Sequence, residues 1–192
     1  PDAIRQHAMM LLIAPDKNGI EWKALSDASA ATRQTPLRLL LSLGAIASPW
    51  RWHVDSFYAI NFPKGRGFPA DLPEPPEERW DNLPLADVDA FSIDDSETTE
   101  IDDAASVTHL GDGRTRVGVH IAAPALGITR DSPLDVVARS RMSTVYAPGL
   151  KTTMLPERWV KRFSLDEGVE VPCLSLYITV KDDTYSVETT ET

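Results

Sequence analysis

The sequence has little cysteine: Cys173 is alone among 192 residues. That excludes an internal disulfide and a cysteine-rich zinc site. Cys173 stands in the apolar run 171–176 and reads as a small buried hydrophobe. No apolar run approaches the roughly 18 residues that cross a membrane, so no membrane partner is expected. The N-terminus begins at Pro1 and lacks the charge-then-apolar pattern of a secretion signal. These absences suggest the cytoplasm. Basic residues are scarce in one place. Residues 71–103 hold thirteen acids and one base, Arg79, and contribute −12 to the net charge of −10, so the remainder is +2. The acidity is local, and a local carboxylate cluster suits a metal site as well as a solvated loop.

What is present divides into two parts. Residues 2–14 carry Ile4, Met9, Leu11, Leu12 and Ile13 behind a capping Asp2, which predicts a helix. Trp22, Leu25 and Ala28 predict a second over 20–31. Leu37, Leu39, Leu40 and Leu41 predict a third, with Pro36 in its first turn and a stop at Gly44. Ile46, Trp50, Trp52, Val54, Phe57 and Ala59 alternate and predict a short hairpin. Three helices and a hairpin are the plan of a winged helix-turn-helix over residues 1–63. Arg33 and Arg38, at the recognition helix, are candidate RNA-phosphate contacts. Such modules contact nucleic acid or protein, and the residues leave both open. Trp50 and Trp52 suit base stacking or core packing alike.

Six prolines in 62–84 predict an extended, solvent-facing linker over 64–84. The rest reads as alternating strand and helix, giving a mixed α/β (α+β) chain. Strands are expected over 105–110 and 116–123, joined by the turn signal Gly111-Asp112-Gly113. A helix capped by Asp131 or Ser132 is expected over 133–142, and a strand over 174–180.

The segment Ser92-Ile93-Asp94-Asp95-Ser96-Glu97-Thr98-Thr99-Glu100-Ile101-Asp102-Asp103-Ala104 packs six carboxylates into ten residues. Such density needs solvation or a cation. On a strand, Asp102 and Asp103 would face opposite ways. In a loop that curls back, with Ile93 and Ile101 as apolar pins, both would aim inward at a hard cation. A solvated acidic loop remains an alternative. A calcium loop starting at Asp94 fits poorly, because Thr99 stands where glycine is needed and Ala105 where the closing Glu belongs.

Ser92-Ile93-Asp94 followed by Glu100-Ile101-Asp102-Asp103-Ala104 resembles the catalytic signature of the ribonuclease II / ribonuclease R / exosome-nuclease family. Gly118-Val119-His120-Ile121-Ala122, Ser132-Pro133-Leu134-Asp135, Ser143-Thr144-Val145-Tyr146-Ala147-Pro148-Gly149, Met154-Leu155-Pro156-Glu157 and Phe163-Ser164-Leu165 extend the likeness. The resemblance implies that residues 85–192 are the N-terminal half of the family's catalytic domain. It implies processive 3′→5′ hydrolysis of single-stranded RNA to nucleoside 5′-monophosphates with Mg²⁺, or Mn²⁺ in its place. Asp94 and Asp103 would be principal metal ligands with Glu100 beside them. Asp102 would join them, orienting or deprotonating water or meeting the terminal ribose. Tyr146 would stack on the 3′-terminal base, the alternative being an ordinary buried tyrosine.

Two residues depart from the family pattern: Glu100 and Ala123 each replace an aspartate. His120 reads as a packed strand residue. The likeness also implies a missing C-terminal half of the same protein, so that this chain alone is expected to be inactive and the complete protein a monomer. Two alternatives stand beside the nuclease: a catalytically weakened RNA-binding relative, and a winged-helix regulator of nucleic acid.

Overall fold

The computed structural model describes residues 2–77, 80, 82–95 and 98–192. Ser96 and Glu97 of the acidic segment lie outside the described residues, as do Glu78, Arg79 and Asp81 of the expected linker. The chain forms two compact units, residues 1–67 and 68–192.

The first unit is helical. It comprises α1 (Asp2–Ile13), α2 (Ile20–Thr32), α3 (Pro36–Ser42) and α4 (Pro49–Asn61). Ala8, Leu11, Leu25, Leu39, Leu40 and Ile46 form its core. Thr35 caps α3 by accepting the Arg38 N–H, and Pro36 enters its first turn. Gly44 stops that helix at φ 66°, a conformation that glycine adopts without strain.

The expected hairpin over 46–61 is overturned, because α4 occupies it. Ser48 accepts the Arg51 N–H at 3.0 Å, and Pro49 begins the first turn. Arg51 and Asp55 form an ion pair one turn apart at 2.7 Å. Capping and i,i+4 pairing outweigh the β-propensity of a short aromatic alternation. Trp52 packs against the core while Trp50 stays 45% exposed. Among the described residues the first unit has no strand, so the wing of the expected winged helix is not there.

The second unit holds a five-stranded antiparallel sheet of order β1-β2-β3-β6-β7. The strands are β1 (Ala90–Phe91), β2 (Asp103–His109), β3 (Arg114–Ala122), β6 (Cys173–Lys181) and β7 (Val187–Glu191). Between β3 and β6 lie α5 (Pro133–Arg141), the hairpin β4 (Val145–Ala147) and β5 (Leu150–Thr152), and α6 (Glu157–Phe163). The expected β2–β3 hairpin is present, with Gly111 and Gly113 at φ 82° and 77° in its turn. Ser132 rather than Asp131 caps α5. Cys173 is only partly buried, with its Sγ 3.5 Å from the Ser175 hydroxyl, which corrects the buried reading.

The linker expectation is corrected for residues 68–77. Leu72 is buried, and with Phe68 it packs on Leu134, Ala138, Leu155, Trp159 and Phe163. Trp159 Nε1 donates to the Pro73 carbonyl at 2.9 Å, Arg158 to the Leu72 carbonyl at 2.9 Å, and Arg162 to the Pro76 carbonyl at 3.2 Å. Proline leaves carbonyls with no competing N–H nearby, and α6 collects them. Gly127 permits this closeness, since a Cβ there would lie 2.9 Å from Pro76 Cγ.

The sheet carries a buried polar network. His120 is 3% exposed; its Nδ1 lies 2.8 Å from the Ser175 hydroxyl and its Nε2 2.9 Å from the Ser106 hydroxyl. A Cβ at Gly118 would collide with Ser106 Oγ and lie 2.8 Å from His120 Nε2. Burial lowers the His120 pKa below 6.5, so folding favours the neutral ring. Its contribution to stability is therefore intact above pH 6.5 and declines as pH falls below that value toward the depressed folded pKa. Urea midpoints measured at pH 8 and pH 5 should fall with acidification, and His120→Gln should shrink that difference. An unchanged difference in the variant would refute the assignment to His120.

Candidate functional site

The acidic segment leads from β1 into β2 within the second unit. Asp103 is the first residue of β2 and pairs with Ile121 of β3. Just before it, the Asp102 carbonyl accepts the Ala122 N–H at 2.9 Å. One further residue back, Ile101 is clamped on both polar groups. Its N–H donates to Ser164 Oγ at 2.9 Å, and its carbonyl accepts the Leu165 N–H at 2.8 Å. Ser164 is buried and donates in turn to Asp166 Oδ1 at 2.6 Å. Ile101 therefore pins the loop through its backbone hydrogen bonds, and not as the apolar anchor expected. Ile93, the other expected pin, is 90% exposed and pins nothing.

Glu100 turns toward the β4–β5 hairpin. Tyr146 on β4 and Lys151 on β5 are cross-strand partners and so share a face. The Tyr146 hydroxyl donates to Glu100 Oε1 at 3.0 Å, and Lys151 Nζ lies 2.7 Å from the same oxygen. Lys151 Nζ also donates to Thr99 Oγ1 at 3.3 Å and sits 5.7 Å from the Tyr146 ring centre. Tyr146 is 68% exposed, so the buried-tyrosine alternative falls. Local burial of the hydroxyl raises the Tyr146 pKa, helped by the hydrogen bond to Glu100 and by the charges of Glu100 and Asp102. The phenol thus stays a protonated donor.

Asp94, Asp102 and Asp103 are exposed. Their carboxylates make no side-chain hydrogen bond or ion pair among the described residues. In donor chemistry these three fit a hard divalent cation: charged oxygens with free lone pairs. Glu100 does not fit as placed, because Lys151 and Tyr146 hold it. Among the described residues no three Asp, Glu, His or Cys side chains meet around one point. Arg33, which ends α2 at φ 54°, and Arg38 on α3 are exposed on the first unit.

Sequence reasoning missed Lys151, and it named Ser164 only within the motif Phe163-Ser164-Leu165, without its contact to Ile101. Pro148-Gly149 is a turn signal, and Gly149 adopts φ 70°. It would have marked the hairpin and set Lys151 opposite Tyr146.

The RNB domain family model matches residues 83–192. Exoribonuclease 2 of Aeromonas hydrophila is 35% identical over 127 residues, covering 64% of this chain and 19% of its own length. Among solved structures, Mycoplasma genitalium RNase R in complex with ribose methylated single-stranded RNA matches at TM-score 0.52 and 25% identity. That match covers 56% of this chain and 17% of the neighbour. Yeast Ssd1, a pseudonuclease, matches at TM-score 0.59 and 24% identity over 76% of this chain and 20% of the neighbour, a likeness of fold. The chain spans no more than 19% of the length of the first curated relatives that it matches. No helix among the described residues is long and apolar enough to cross a membrane.

Proposed function

Because this chain belongs to the RNB domain family, we propose that it serves a processive 3′→5′ exoribonuclease that hydrolyses single-stranded RNA to nucleoside 5′-monophosphates. The observation that carries this reading is the coupling of an exposed aromatic to the acidic loop: Tyr146 bonds to Glu100, two residues from Asp102. A terminal base stacked on Tyr146 would bring the adjacent phosphodiester beside the aspartates, a positioning effect.

Asp94, Asp102 and Asp103 have the donor type to hold Mg²⁺, or Mn²⁺ in its place, and would have to draw together to do so, since as placed the three do not converge on one point. When bound, the ion supplies charge relief at the phosphoryl oxygens and acidifies a water. Asp102 would also orient that water or meet the terminal ribose. The free carboxylates and the family support this assignment. Arg33 and Arg38 would lend phosphate contacts, supported by the charge of residues 1–67, which hold eight Lys and Arg against five Asp and Glu. Cytoplasmic work as a monomer, with further chain of the same protein completing the site, belongs to the same reading.

A second reading, a catalytically weakened RNA-binding relative, is favoured by one observation: Glu100 is already engaged. The regulator reading loses its support with the wing. The deciding experiment uses the full-length protein, Mg²⁺ and RNA labelled at either end. The 3′ label should appear at once as mononucleotide, while the 5′ label stays in a short end product, and chelation with EDTA should stop both. Internal fragments, or no mononucleotide, would defeat the nuclease reading.

A further inference from the structure

Glu100 sits where the family pattern has an aspartate, and its length matters. Its Oε1 receives two donors from one hairpin: Lys151 Nζ at 2.7 Å and the Tyr146 hydroxyl at 3.0 Å. Its side chain is only 14% exposed and that of Lys151 33%. An ion pair so far withdrawn from water is costly to break one-sidedly. A third contact, from Lys151 to Thr99 Oγ1, ties the hairpin to the residue before Glu100. An aspartate would withdraw the carboxylate by about one methylene, roughly a bond length, away from both donors as they are placed. Neighbouring Asp94, Asp102 and Asp103 have no such partner among the described residues.

We infer that Lys151 is a positioning residue: with Tyr146 it withholds Glu100 from the divalent cation and locks the β4–β5 hairpin to the acidic loop. This rests on the preceding reading only in placing a cation at that loop. The ammonium supplies at Glu100 the positive charge that a metal would otherwise supply. The aspartates are then the protein's ligands, and the stacking tyrosine is held in register with them. In this chain the Asp-to-Glu change and the lysine form one device, with the glutamate reaching outward to a cation carried by the protein itself.

Mn²⁺ binding to the full-length protein, followed by titration calorimetry without RNA, tests this apart from hydrolysis. Glu100→Gln should leave Mn²⁺ affinity within twofold. Lys151→Met should release Glu100 and tighten Mn²⁺ binding by about tenfold. Lys151→Arg, which keeps the charge, should behave as the parent does. The double variant Lys151→Met/Glu100→Gln separates the released ligand from the mere loss of a positive charge, and should lose the gain. If the parent binds no Mn²⁺, Lys151→Met must acquire binding.

The inference is overturned by a tenfold loss of affinity in Glu100→Gln, by no gain in Lys151→Met, or by a gain that persists in the double variant. Should Glu100→Gln lose Mn²⁺ affinity while the parent degrades RNA, this inference fails and the nuclease reading stands.

Discussion

Asp103→Asn should slow RNA hydrolysis by the full-length protein by about 10³-fold, the scale for removing one preorganised electrostatic group. Its urea midpoint should stay unchanged. The substitution is nearly isosteric and keeps the pairing of Asp103 with Ile121, which is made by the backbone. It removes only charge. Asp103 has no ion pair among the described residues, so no basic partner is orphaned. Loss of activity therefore cannot be assigned to a broken structural contact. RNA binding with Mg²⁺ withheld should change little. Hydrolysis within threefold of the parent would end the role of Asp103 as a ligand.

Trp159→Ala should destabilise the protein by about 3–5 kcal/mol, the range for truncating a large core aromatic. Trp159 is 1% exposed and stacks on Phe163 with ring centres 5.9 Å apart and planes 9° apart. It also donates Nε1–H to the Pro73 carbonyl. Truncation leaves a cavity and an unsatisfied acceptor, the latter adding about 1 kcal/mol. A domain is stable by only about 5–15 kcal/mol, so the variant should be close to unfolding at ambient temperature. Trp159→Phe keeps most of the burial, loses the donor and should be milder. Urea unfolding followed by circular dichroism measures both, and a loss below about 1 kcal/mol for Trp159→Ala would contradict the packing described.

Much of this was legible in the sequence, for identifiable reasons. The first three helices announce themselves through apolar spacing and caps such as Thr35-Pro36. The β2–β3 hairpin follows from Gly111-Asp112-Gly113, whose positive φ angles few other residues tolerate. Tyr146 and the acidic segment emerge together through their resemblance to a nuclease signature, and the structure joins them at Glu100.

What escaped depends on contacts distant in sequence. Nothing local says that Ser164 meets Ile101 across 63 residues. The residues Trp50, Trp52 and Val54 alternate like a strand, yet Ser48 and Pro49 decide for a helix. Nor does anything local say that β3 and β6 pair antiparallel across about fifty residues. The prolines mark a stretch whose described residues form no helix or strand, but composition does not reveal which side chains between them are inserted into a core.

That last point changes where the chain can be divided. The proline-rich stretch looks like a tether and invites a cut just before residue 85. Such a cut would strip Phe68, Leu72 and Trp80 from around Trp159 and Phe163 and leave the donors of α6 facing solvent. Ser164 and Leu165, which follow that helix directly, hold Ile101 in place. The seam is at Gly67, and Phe68, Leu72, Pro73, Pro76 and Trp80 belong to the core that carries α6 and, beyond it, the clamp on Ile101.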